Sequence, residues 1–201
     1  PIEGANVTLF QVIRSGVFSK IGNTTKVGAD GAYSWSVSPG NYLLSSSLSA
    51  SGVSLAGAPN QAIIRSEDFL VNADTIRDSQ FNFVVLSGKV VDSNNTPIAN
   101  VDIQTSILWL GPEQGSQLEL AQQSLGHANG SVRTDIDGNY VMLLFSTDTC
   151  IASGYYPNSV NCLYDITYTP PAGSGFDTFV RSDFAISSAQ NLDQKLTLVD
   201  T

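Results

Sequence analysis

The chain has 201 residues, room for one large β domain or two of about 100 residues each. Its hydrophobic content of 42% supports a packed core and excludes wholesale disorder. With 18 Asp and Glu against 9 Lys and Arg, a net charge of −9, it lacks the basic footprint of a nucleic-acid binder and is disfavoured on anionic membranes.

Only 13% of residues are charged, while Ser, Thr, Asn and Gly are plentiful, a neutral-polar surface common in secreted β proteins. No apolar run reaches the length needed to span a bilayer, so no membrane insertion is expected. The chain shows no basic-then-apolar leader and does not begin with Met, which reads as a piece of a longer protein.

In chain order, "PIEGANVTL" at Pro1 opens the first segment. An Asp30-Gly31 turn follows, and then Tyr33, Trp35 and Val37 alternate with Ser34, Ser36 and Ser38, predicting a half-buried strand. Pro39-Gly40 marks the next turn, "IIRSEDFLV" surrounds Phe69, and "FNFVV" closes the segment on an alternating strand. "VVLSGKVV" then predicts an opening strand, with a turn at Asn94-Asn95. Val101, Ile103, Thr105, Ile107 and Trp109 fall on one face of a further strand. "SQLELAQQSL" from Ser116 is read as strand, His127 lies in an expected loop, and turns recur at Asp137-Gly138 and Pro170-Pro171. Turn signals about every ten residues point to β-sandwich architecture.

The segments repeat. "PIEGANVTL" returns as "PIANVDIQ", "VGADGAYSWSV" as "TDIDGNYVML", and "IIRSEDFLV" as "FVRSDFAI". The offsets grow from 96 (Pro1 to Pro97) through 107 (Asp30 to Asp137) to 115 (Phe69 to Phe184). Length added between matched strands is the signature of loop insertion. Two domains are therefore expected, residues 1–85 and 86–201. The second has a strand ahead of Pro97 and the first has no counterpart ahead of Pro1, so the first domain is expected to be truncated there or completed by an upstream strand.

Together, "LSGKVVDSNNTPIANVDI" and "TDIDGNYVM" resemble the carboxypeptidase regulatory-like domain, a transthyretin-like β-sandwich. The first copy fits that pattern at Pro1, Ile2, Gly4, Ala5, Val7, Asp30, Gly31, Tyr33, Pro39, Gly40 and Tyr42. The second fits at Gly88, Val90, Pro97, Ile98, Ile103, Thr134, Asp135, Asp137, Gly138 and Tyr140, departing at Asn100-Val101 and in having no Pro-Gly-x-Tyr step. The resemblance implies an all-β chain of two tandem Ig-like or transthyretin-like sandwiches. Modules of this kind serve as stalks, linkers and accessory domains in exported proteins.

Candidate chemistry is sparse. Asp135, Asp137 and Asn139 could contribute to a calcium site, but with one carbonyl they fall short of the six or more oxygens this ion takes. The first copy has Gly28 where the second has Asp135, so the stretch is expected to turn a hairpin, with calcium the alternative. A single histidine and two cysteines cannot supply a closed zinc site. Cys150 and Cys162 bracket a turn-rich loop. Closed as a disulfide it would add about 3 kcal/mol and imply an oxidising compartment, with two buried thiols the alternative. Lys89 and Asn191 form a conceivable isopeptide pair, against a solubilising edge lysine. Trp109, Tyr155 and Tyr156 are the aromatics that could stack on sugar rings, against packing in core or loops.

The reading that follows is a non-catalytic structural or adhesive module of a secreted or cell-surface protein. Its expected partners are neighbouring domains of the same polypeptide, glycans or another cell-surface protein. The alternative is a carbohydrate-binding accessory module of an exported polysaccharide-degrading enzyme. No cofactor is expected.

Overall fold

The computed structural model describes residues 2–14, 17–53, 55–66, 68–106, 108–110, 126–149 and 163–199. Among these the chain is all-β, with one short 3-10 turn at Thr147–Thr149. In the first half, β1 (Asn6–Arg14) pairs antiparallel with β2 (Val17–Lys26) on one side and β3 (Gly40–Leu48) on the other. The start of β3 is joined by β5 (Phe69–Val71), and its end by β4 (Gln61–Arg65). Val7, Leu9, Leu44 and Leu48 turn inward at the period-2 spacing and are buried.

In the second half, β7 (Asp102–Thr105) lies between β10 (Ser131–Arg133) and β12 (Tyr164–Thr169), and β13 (Phe179–Phe184) completes a four-stranded antiparallel sheet. A second sheet centres on β6 (Phe83–Val91). It pairs antiparallel with β11 (Asn139–Phe145) and parallel with the short β14 (Gln190–Asn191) and β15 (Gln194–Lys195). The boundary expected after residue 85 falls inside β6.

Two further strands, β8 (Leu108–Leu110) and β9 (Gly126–Asn129), belong to the second half by sequence. They extend the first half's sheet instead. β4 pairs antiparallel with β9, setting Ala62 opposite Ala128, so a seven-stranded sheet takes strands from both halves. Both alanines are fully buried. Two more backbone bonds join the halves: Leu143 N–H donates to the Gly57 carbonyl at 2.8 Å, and Asn60 N–H to the Asn129 carbonyl at 3.1 Å. A single hydrophobic cluster includes Leu9, Leu44, Leu86, Val90, Ile103, Met142 and Ile166, drawn from all three sheets.

The sequence repeat is repeated in register. Asn6 opposes Lys26 in β1–β2 as Asp102 opposes Arg133 in β7–β10. Tyr42 opposes Phe69 as Tyr164 opposes Phe184. The Tyr42 hydroxyl donates to the Ser38 carbonyl at 2.7 Å, and the Tyr164 hydroxyl to the Phe145 carbonyl at 3.1 Å. Tyr164 thus does in the second half what Tyr42 does after Pro39-Gly40. That equivalence was hidden because the dipeptide is replaced by a longer segment. Gly4, at φ 86°, is matched by Asn100, at φ 58°. Asparagine is among the few side chains that tolerate this left-handed backbone.

Three expectations are corrected. Tyr33, Trp35 and Val37 do alternate in burial with their serines, but residues 32–38 form no ladder. The strand expected from Val101 to Trp109 is two strands in different sheets: β7 ends at Thr105, and β8 pairs with β9. His127 is not in a loop. Its backbone lies in β9 between Ile63 of β4 and Trp109 of β8.

Candidate functional site

The unpaired residues 32–38 form one wall of an open trough. The facing wall is the segment 72–78, which runs on from β5 and is likewise without ladder partners. The space between them has a volume of 760 Å³, with the buried Leu9 and Leu44 at its base and Phe69 and Val71 along it. A second hollow of 330 Å³ shares Gly31 and Tyr33 with the first and continues to Ile2, Ser79 and Phe81.

Apolar and polar side chains share the lining, with aromatic and aliphatic groups at the base and Ser34, Ser36, Asp74 and Asp78 among the polar ones. Tyr33 and Trp35 pack ring against ring with centroids 5.4 Å apart, and both remain half-buried. Ile76 is 92% exposed, unusual for so large an aliphatic side chain. The Tyr33 hydroxyl reaches across and donates to the Arg77 carbonyl, bridging the two walls. Burial, helped by the Asp78 carboxylate, raises the Tyr33 pKa above its ordinary value and keeps this hydroxyl a donor. The Arg77 guanidinium lies over the Phe69 ring, 4.9 Å from its centroid. Such a site combines apolar surface at its base with backbone walls that form no ladder among the described residues.

The second half shows the same frame filled. Tyr140 stands where Tyr33 stands in the repeat, and its hydroxyl donates to the Leu192 carbonyl at 2.7 Å. Strand β6 passes beneath that bridge, with Gly88 opposite Tyr140 in the β6–β11 register. A Cβ on Gly88 would lie 2.0 Å from the Leu192 oxygen and 2.9 Å from Tyr140 Cε1, so only glycine fits. In β11, paired with β6, Tyr140, Met142 and Leu144 are 3%, 0% and 0% exposed, whereas their counterparts Tyr33, Trp35 and Val37 are only half-buried. Sequence reasoning missed the trough. Its only signal was that the strand ahead of Pro97 had no counterpart ahead of Pro1.

The Asp135 loop is a hydrogen-bonded turn. Asp135 Oδ1 accepts the Asp137 and Asn139 backbone N–H groups at 2.9 and 2.8 Å, and Oδ2 accepts Asn139 Nδ2 at 3.3 Å. These bonds, the Asn139 amide first, hold the Asp135 pKa below the usual carboxylate range, and the Lys89 charge adds to the effect. Gly138, at φ 76°, donates to the Asp135 carbonyl at 3.0 Å, as Gly31 donates to the Gly28 carbonyl at the same distance. Among the described residues no group of three or more His, Cys, Asp and Glu could hold a metal ion.

The remaining candidates are scattered. Asn191 Nδ2 contacts Asp193 Oδ1 at 3.4 Å, and the same carboxylate oxygen accepts the Lys89 backbone N–H at 2.8 Å. Trp109 lies in β8, at the end of the seven-stranded sheet. Tyr155, Tyr156, Cys150 and Cys162 lie outside the described residues, as does the segment from Ser116.

No family model matches the chain. No curated protein matches it either. Among solved structures, the chain is similar to the shaft pilin SpaA from Lactobacillus rhamnosus GG, at 12% identity over 100% of this chain and 90% of that one, with a TM-score of 0.40. A Streptococcal ancillary pilin aligns at 9% identity over 98% and 62%, with a TM-score of 0.33. Hydroxyquinol 1,2-dioxygenase from Pseudomonas putida DLL-E4 aligns at 11% identity over 60% of this chain and 58% of that one, with a TM-score of 0.36. At these scores the likenesses carry no weight for function. Among the described residues no helix is long and apolar enough to cross a membrane.

Proposed function

We propose that the chain is a non-catalytic structural or adhesive module, two tandem carboxypeptidase regulatory-like sandwiches that space or present neighbouring domains of a secreted or cell-surface protein. The observation that carries this reading is the β4–β9 ladder, which runs one sheet through both halves. A spacer must transmit orientation, and backbone pairing between its units does so where a flexible linker does not. The repeated registers and the paired Tyr42 and Tyr164 corners support two copies of one architecture. A neutral-polar surface suits an exported setting.

Small-angle X-ray scattering from the 201-residue chain tests the spacing role. One rigid particle is expected, with dimensions unchanged between low and high salt. Curves that require an ensemble of two independently moving bodies would remove the basis for it.

A further inference from the structure

We propose that the trough of the first half is a strand-acceptor slot that takes an extended segment with an alternating apolar face and a glycine facing Tyr33, as β6 takes the matching place in the second half. The inference stands on sheet pairing within residues 1–201 and holds whether or not the chain acts as a spacer.

The second half supplies the template. There β6 lies between β11, to which it is antiparallel, and β14 and β15, to which it is parallel. By the repeat, β11 corresponds to residues 32–38, and β14 with β15 to residues 75–80. Those are the two walls of the trough, and neither carries strand pairing. Unpaired edges flanking an apolar floor are the arrangement into which an added strand docks, with main-chain bonds on both sides and alternate side chains facing inward.

The polar details are also in place. In the second half Asp193 Oδ1 accepts the backbone N–H of Lys89, next to Gly88. Asp78 occupies the matching position in the first half, and its charge acts on Tyr33 as that of Asp193 acts on Tyr140. The Tyr33 hydroxyl already bridges to the Arg77 carbonyl, as Tyr140 bridges to Leu192. The bridge leaves a gap that in the second half only a glycine passes. The occupant is thus specified as an extended strand with an alternating apolar face and one glycine opposite Tyr33.

Ile2 marks the end of the slot that corresponds to the turn after β6 in the second half. In the second half β6 turns through Asp92–Thr96, Val91 forms a bridge with Pro97, and Ile98 N–H donates to the Val90 carbonyl at 2.9 Å. Ile2, the counterpart of Ile98, lines the smaller hollow at the end of the trough beside Gly31. A second copy of the chain is a poor donor, because its strand of this pattern, β6, already fills its own slot.

The test uses the 201-residue chain and two synthetic peptides, one with the sequence Phe83–Asp92 and one identical except for valine at the glycine. Amide hydrogen exchange is followed by mass spectrometry over residues 32–38 and 72–80, with β1 and β3 as internal controls. The glycine peptide is expected to slow exchange in both segments saturably, by about tenfold or more, leaving the controls unchanged. The valine peptide is expected to give no protection. Three results overturn the proposal: no protection by either peptide, equal protection by both, or protection that rises with chain concentration in the absence of peptide, which would place a second copy in the slot.

Discussion

Replacing Gly88 by alanine in the full chain perturbs the most tightly specified point of the fold. The added Cβ would lie 2.0 Å from the Leu192 oxygen and 2.6 Å from its carbon, both backbone atoms, so the segment between β14 and β15 must move. That displacement threatens two hydrogen bonds of 2.7 Å, from the Tyr140 hydroxyl to the Leu192 carbonyl and from Leu192 N–H to the Ser87 carbonyl. Each contributes about 1 kcal/mol, and the overpacking adds about 1–3 kcal/mol. Against this, alanine restricts the unfolded chain and returns about 0.4–1 kcal/mol. The net destabilisation expected is about 2–4.6 kcal/mol. At about 2–4 °C per kcal/mol for a chain of this length, Tm should fall by about 4–18 °C. Calorimetry on Gly88→Ala beside wild type measures it. A Tm equal to or above wild type would refute the steric argument, and with it the requirement for glycine beneath Tyr140.

Thr134→Val keeps the shape but removes a buried hydroxyl that accepts from Val101 N–H and donates to the Ile98 carbonyl, both at 2.9 Å. A loss of about 1–3 kcal/mol is expected by urea titration, although the first half has Val27 at the same point of the repeat. Tyr42→Phe and Tyr164→Phe should each lower stability by about 1 kcal/mol, and by amounts that agree within a factor of two if the two corners are equivalent. Asn100→Ala forces a left-handed backbone on alanine and should cost about 1 kcal/mol, whereas Asn100→Gly should be neutral or stabilising. In pH titrations, burial raises the pKa values of Tyr140, Tyr164 and Tyr168 above 10.0. Their folded forms hold the proton that the unfolded chain releases near pH 10, so stability should be constant below that pH and decline above it. The depressed Asp135 pKa has the opposite sign: its contribution is present above about pH 4 and is lost on acidification, and Asp135→Asn should flatten that acid limb.

Much of the architecture was legible because its signals are local. The opening strand read in "VVLSGKVV" is β6, and the alternation that starts at Val101 continues through β7. What escaped was pairing. Trp109 is in phase with Val101 through Thr105, yet phase says nothing about which sheet a strand joins, and β8 left for the other half. Tyr33, Trp35 and Val37 display strand alternation because one face packs on the floor of the trough, while ladder formation also needs a neighbour. Tyr164 was invisible as a counterpart of Tyr42 because the hydroxyl bond, and not the Pro-Gly dipeptide before it, is what the second half keeps. The Asp135 loop was read as a turn from sequence, but the carboxylate that caps it is Asp135, two residues earlier than the Asp of the Asp-Gly pair.

The most direct test of the joined architecture is a search for cross-strand nuclear Overhauser effects between residues 61–64 and 126–129 in the isotopically labelled chain. Close Hα contacts in the register that sets Ala62 opposite Ala128 and Ile63 opposite His127 are expected. Absence of these contacts, with fast-exchanging amides along β4, would mean that no sheet joins the halves and would contradict the account.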